Sequence, residues 1–136
     1  MKRILIDSGP IIALFDSSDK YHQISRSFIK NNPHELITSL ASVTEAQHLL
    51  DFNRNAQTDC LSWIISGAIK VEEIGVEDLI RIKALIIKYA DMPMDFADAC
   101  LVRLGEKYQI DEVATIDSDF DIYRLNKHQT FRTVLK

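Results

Sequence analysis

Apolar positions along this chain change period repeatedly, and that change predicts its architecture. Short β-leaning runs at residues 3–6, 36–38, 69–74, 111–116 and 130–135 are separated by stretches in which apolar side chains recur every three or four positions, at 10–15, 21–30, 39–52, 58–67, 76–90 and 94–108. Turn residues mark the joins: Ser8-Gly9-Pro10, Asn31-Asn32-Pro33, the break at 53–55, Gly67, Gly75 and Pro93. Strands alternating with helices predict an α/β fold of one domain over 1–136, a mostly parallel sheet covered on both faces by helices. The expected inward faces are Ile24, Phe28 and Ile29; Val43, Ala46, Leu49 and Leu50; Leu61, Trp63, Ile64 and Ile65; and Leu79, Ile82, Leu85, Ile86 and Tyr89. His22 is expected at the surface.

The stretch MDFADACLVRL, residues 94–104, carries the strongest signal. At helical spacing Ala97, Cys100, Leu101 and Leu104 form one apolar stripe, and Arg103, Glu106 and Lys107 point away from it. Asp95 and Asp98 lie three apart and are neighbours on that helix. Asp95 suits the first turn, where an acid complements the helix dipole. Asp98 borders the stripe, where burial and a like-charged neighbour both penalise its ionised form.

Other acids stand at comparable places. Asp7 closes the first strand and Asp117 the strand at 111–116, and Asp119 follows two residues later. Glu45 lies about one and a half turns into the helix after the second strand, close enough to reach over the same edge. His48 projects from a different face and has no assigned role. Each acid has an ordinary alternative: Asp7 or Ser8 as a helix cap, Glu45 as an exposed helix acid. In a right-handed parallel sheet, however, strand ends of one sense share an edge, where ligands bind. Carboxylates gathered there call for a hard cation, and oxygen donors without His or Cys favour Mg²⁺ or Mn²⁺ over Zn²⁺. Such ions stabilise the oxygens of an in-line phosphodiester displacement.

Composition narrows this picture. Hydrophobic residues make up 46% and charged residues 26% of the chain, a soluble globular profile. The longest apolar run, 10–15, is too short to span a bilayer, and Asp7 interrupts any signal-like N-terminus, so a cytoplasmic protein without a membrane partner is expected. Cys60 and Cys100 lack metal or redox spacing and read as small core residues. A formal net charge of -4 argues against nucleic-acid binding by bulk electrostatics, although a bound cation reverses the local sign. Arg124, Lys127, Arg132 and Lys136 give the tail a positive excess that a solvated face explains as readily as a phosphate track.

The strings ILIDSGPIIALF, ITSLASVTEAQHLL, MDFADACLV and ATIDSDF, in this order and spacing, resemble the PIN domain family, the fold of VapC-like toxin ribonucleases and of several RNA-processing nucleases. The resemblance covers nearly the whole chain. It implies a parallel sheet flanked by helices and a Mg²⁺- or Mn²⁺-dependent endoribonuclease. The family's four acids fall on Asp7, Glu45, Asp98 and Asp117, as catalytic and metal-binding residues, with Ser8, Thr115, Asp95 and Asp119 auxiliary. An RNA substrate, an antitoxin protein and a homodimer are the partners it implies. The alternative is a PIN-like module that binds RNA or protein without cutting. A phosphotransfer receiver would need adjacent acids after its first strand, and a DxD phosphatase would open on the motif that Asp117 and Asp119 form near the end here.

Overall fold

A computed structural model of the chain describes residues 2–92 and 94–135. Pro93, expected to stop a helix, and Lys136, counted in the basic tail, lie outside the described residues. The strands are β1 (Arg3–Ile6), β2 (Glu35–Ser39), β3 (Lys70–Glu72), β4 (Glu112–Ala114) and β5 (Arg132–Val134). The helices are α1 (Ser8–Phe15), α2 (His22–Asn31), α3 (Leu40–Leu49), α4 (Arg54–Ile65), α5 (Leu79–Lys88) and α6 (Phe96–Tyr108). Among the described residues the strands form one sheet in the order β3-β2-β1-β4-β5, with every neighbouring pair parallel. This is the α/β three-layer architecture expected from the sequence.

Alternation along the strands builds both layers. Leu5, Ile37 and Val113 stand side by side in register and face a core with Leu85, Leu101 and Leu104. Ile4, Ile6, Leu36 and Ala114 face the other way, onto Ile11, Ala46, Leu50 and Cys60. Both cysteines are buried free thiols. Strand order reverses between β1 and β4, because the chain builds outward through β2 and β3 and then returns. The crevice outside the carboxyl ends of those two strands is where open α/β sheets bind ligands.

Several helix faces differ from expectation. Leu79 and Ile86 are 40% and 38% exposed, and the buried stripe of this region is Asp78, Ile82, Leu85 and Tyr89. The reason is a buried charge. Asp78 accepts from Arg103 Nε at 2.8 Å and lies 3.5 Å from Lys107 Nζ, while Arg81 makes a forked pair with Glu106. Arg103, Glu106 and Lys107 therefore face α5 through ion pairs instead of pointing only to solvent. In α4 the buried residues are Ala56 and Cys60, and Ile65 is 84% exposed. The helix begins earlier than expected because Asn53 caps it, accepting from Ala56 N–H at 3.2 Å. Leu49 and Ile24 are likewise exposed, and His22 turns Nδ1 to the Ala13 carbonyl at 2.7 Å.

Gly105 lets the end of α6 pack tightly against the segments on either side of β4. A Cβ there would stand 2.7 Å from the Ile110 carbonyl oxygen and 2.9 Å from a Leu125 methyl. Backbone cannot yield as a side chain does. Gly105→Ala is expected to lose on the order of 1–3 kcal/mol of stability, the usual scale of overpacking, which urea unfolding would measure.

Candidate active site

The β1–β4 crevice is built from its strand ends upward. Asp7 continues β1 by one residue, and its N–H donates to the Ala114 carbonyl at 3.0 Å, so it is placed by the sheet itself. Its Oδ1 accepts from Ser8 N–H at 2.8 Å and its Oδ2 from the Thr115 hydroxyl at 3.1 Å. Thr115, buried just beyond β4, also accepts from Asp117 N–H at 3.1 Å, so one hydroxyl ties Asp7 to the backbone of the second strand end. Asp7 is only 2% exposed. Burial pushes its carboxyl up to about 7, and the charges of Asp117 and Glu45 add to that push against the two hydrogen bonds.

Helices deliver the other acids. Glu45 on α3 accepts a hydrogen bond from the Ser8 hydroxyl. Burial raises its pKa, and the adjacent Asp95 carboxyl reinforces the shift. Asp95 caps α6, accepting from Asp98 N–H at 2.8 Å, so the capping role expected for it is real. Asp98, one turn inside the cap, is 8% exposed. Burial first, then the charges of Asp7, Asp95 and Asp119, push it up to about 8. Its Oδ2 accepts from the Tyr123 phenol at 3.0 Å. Burial and the Asp98 carboxylate both raise the phenol's pKa, which keeps it a donor. Asp117 is exposed at the rim, and its charge is felt by both Asp7 and Glu45.

Asp7 thus shares its crevice with all three other principal acids: Glu45 and Asp117 act on it, and it acts on Asp98. Glu45 and Asp95 also line an open groove of about 550 Å³ with Thr44, His48 and Phe96. His48, expected on another face, shares this groove with Glu45. Tyr123 escaped the sequence reading, because nothing in the periodicity of a short turn distinguishes a phenol aimed at a carboxylate from an ordinary core aromatic.

A family model described as PIN domain matches residues 4–125. The chain belongs to the PIN domain family. Ribonuclease VapC26 of Mycobacterium tuberculosis is similar to it, at 24% identity over 116 residues, 84% of this chain and 86% of the relative. The structure of M. tuberculosis VapC20, a toxin that cleaves the sarcin-ricin loop, superposes with a TM-score of 0.81 at 20% identity, over 88% of this chain and 93% of that one. A toxin-antitoxin complex from Klebsiella pneumoniae gives 0.64 at 19% identity, over 86% and 89%. These structural likenesses establish the fold.

The donor chemistry of this PIN domain fits a divalent cation. Carboxyls that resist ionisation because they are buried, and secondarily because of one another, are stabilised when a positive ion joins them. Among the described residues no three His, Cys, Asp or Glu side chains are spaced to hold an ion by themselves. An ion of the Mg²⁺ type keeps several waters and needs only one or two carboxylates, which Asp7 and Asp98 supply.

The raised values of Asp7 and Asp98 have a consequence for the metal-free protein. Their folded pKa values, about 7 and about 8, lie above the ordinary 3.8, so folding takes up protons between those limits. Their contribution to stability is complete below the ordinary value and is lost as pH rises through the folded values. In EDTA the melting temperature is expected to fall from about pH 5 to about pH 9, and Asp98→Asn should flatten the upper part of that fall. Mn²⁺ should raise the melting temperature more at the alkaline end. Scanning calorimetry at stepped pH would measure both effects.

Proposed function

We propose that this PIN domain is a Mg²⁺- or Mn²⁺-dependent endoribonuclease that hydrolyses phosphodiester bonds in RNA and acts as the toxin of a toxin-antitoxin pair. The observation that carries the reading is the pair of buried carboxyls, Asp7 and Asp98, held in one electrostatic pocket at the switch point of a parallel sheet. Family membership and the similarity to Ribonuclease VapC26 support the reaction class. The Klebsiella complex supports an antitoxin partner. The exposed α5-side residues Val76, Ile80 and Ile87 support a homodimer, and an RNA substrate fits a cytoplasmic location.

Asp7 and Asp98 would hold the ion directly, with Asp117 and Glu45 reaching it through its waters. A bound Mg²⁺ or Mn²⁺ supplies positive charge to the oxygens of the phosphodiester as negative charge builds there. Ser8 fixes the Glu45 carboxyl, whose raised affinity for a proton suits it to orient the attacking water and accept its hydrogen. Thr115 fixes Asp7, Asp95 anchors the first turn that carries Asp98, and Asp119 adds negative charge to the pocket.

RNA cleavage should disappear in EDTA and return with Mn²⁺ or Mg²⁺. Asp7→Asn and Asp98→Asn should each lower turnover by more than about a hundredfold, beyond the loss typical of residues that only support a metal ligand. Wild-type cleavage by either variant with Mn²⁺ present would refute the site. The open spacing of the acids favours one competing reading, a PIN module that binds without cutting. Tight RNA binding without cleavage under any divalent metal would establish it.

A further inference from the structure

Tyr123 lies outside the acids that define the pocket, yet its contact with Asp98 joins the pocket to the core. The phenol is completely buried and donates to Asp98 Oδ2 at 3.0 Å across 25 residues of sequence. Its ring is fixed from two sides. Tyr89 and Phe120 each meet it edge-on at 5.2 Å between centroids, and Phe120 is itself braced by Phe131 at 5.4 Å. The backbone at Tyr123 is fixed as well. The Arg124 guanidinium donates to the carbonyls of Asp121, Ile122 and Tyr123 at 2.7, 2.9 and 3.0 Å, and Arg124 N–H donates to the Tyr89 hydroxyl at 2.9 Å.

A donor so immobilised dictates where its acceptor stands. The phenol's bond to Oδ2 fixes the plane of the Asp98 carboxylate and leaves Oδ1 and the second lone pair of Oδ2 for a ligand. That bond holds the carboxylate in a single orientation toward the pocket. The phenol also offsets part of the cost of ionising a buried acid that faces Asp7 and Asp95.

We propose that Tyr123 is a positioning residue of the active site, the group that orients Asp98 for a divalent cation. This rests on the metal-dependent reading above. Outer partners of metal ligands are typically worth 10–100-fold in affinity. Tyr123→Phe removes one oxygen and keeps the ring contacts, and Tyr89→Phe is its control. The control removes a hydroxyl from the same aromatic cluster that bonds Arg124 and not Asp98.

The test is Mn²⁺ titration calorimetry on the metal-free wild type and both variants, with melting temperature recorded for each. RNA cleavage is then measured as a function of Mn²⁺. Tyr123→Phe should bind Mn²⁺ about tenfold more weakly, and its cleavage should need correspondingly more Mn²⁺ at unchanged KM for RNA. Tyr89→Phe should bind Mn²⁺ as the wild type does. Wild-type affinity in Tyr123→Phe would overturn the role of the phenol and leave the metal reading standing. An equal loss in Tyr89→Phe would overturn it too, since the cause would then be the integrity of the turn. A wild type that binds no Mn²⁺ would overturn the metal reading and this proposal with it.

Discussion

Two carboxyl groups shut away from water on adjoining elements ionise only at a cost in stability, and a positive charge between them removes much of it. Asp7 and Asp98 meet that condition: each is almost wholly buried, and the charge of Asp7 is among the causes that raise Asp98. A domain selected for stability alone would replace such a pair with apolar side chains, which cost nothing to bury. Retaining them makes the pocket a source of instability, which a divalent ion bound between them would relieve. Charge complementarity of this kind is also selective, since a monovalent cation leaves most of the repulsion in place.

The sheet determines that these acids meet. Residues that follow strands β1 and β4 are adjacent whatever their side chains, because the strands are paired and the order reverses between them. The Thr115 hydroxyl converts that adjacency into fixed geometry by bonding Asp7 and the Asp117 backbone together. Helix α6 then brings Asp98 near enough to Asp7 for the charge of one to raise the pKa of the other. The capping and pocket roles of Asp7 and Asp95 do not compete. Each caps through one hydrogen bond to a backbone N–H, and a carboxylate has lone pairs for more.

What was legible in the sequence is what depends on period and chain order. Alternation in ILID and the stripe Ala97, Cys100, Leu101 and Leu104 led to the sheet, the layers and the depth of Asp98, because burial follows periodicity directly. The α5 face was misread because an apolar pattern does not reveal a buried charge. Asp78 occupies an inward position and pairs with Arg103 and Lys107, residues far along the chain, and this turns Leu79 and Ile86 outward. Glu106 gave no sign of its partner Arg81 for the same reason. Tyr123 was hidden for a related one: its function lies in a single tertiary contact with a residue on another element.

The segment after β4 shows how a loop can hold a site to the tolerance chemistry requires. Its near end carries Asp117 to the rim and its far end sends Tyr123 into the core, so the same turn faces both the ligand side and the supporting side of Asp98. Loops at strand ends are ordinarily the mobile part of an α/β domain. Here three carbonyls are gathered by one guanidinium and two aromatic rings are wedged beneath them, and that moves the turn into the rigid class on which oriented ligands depend. An acidic chain of net charge -4 has little general attraction for RNA, so a phosphodiester would have to be engaged through local charge placed accurately. Accuracy of that kind requires a support that does not move, and in this chain the support is aromatic packing around a single phenol.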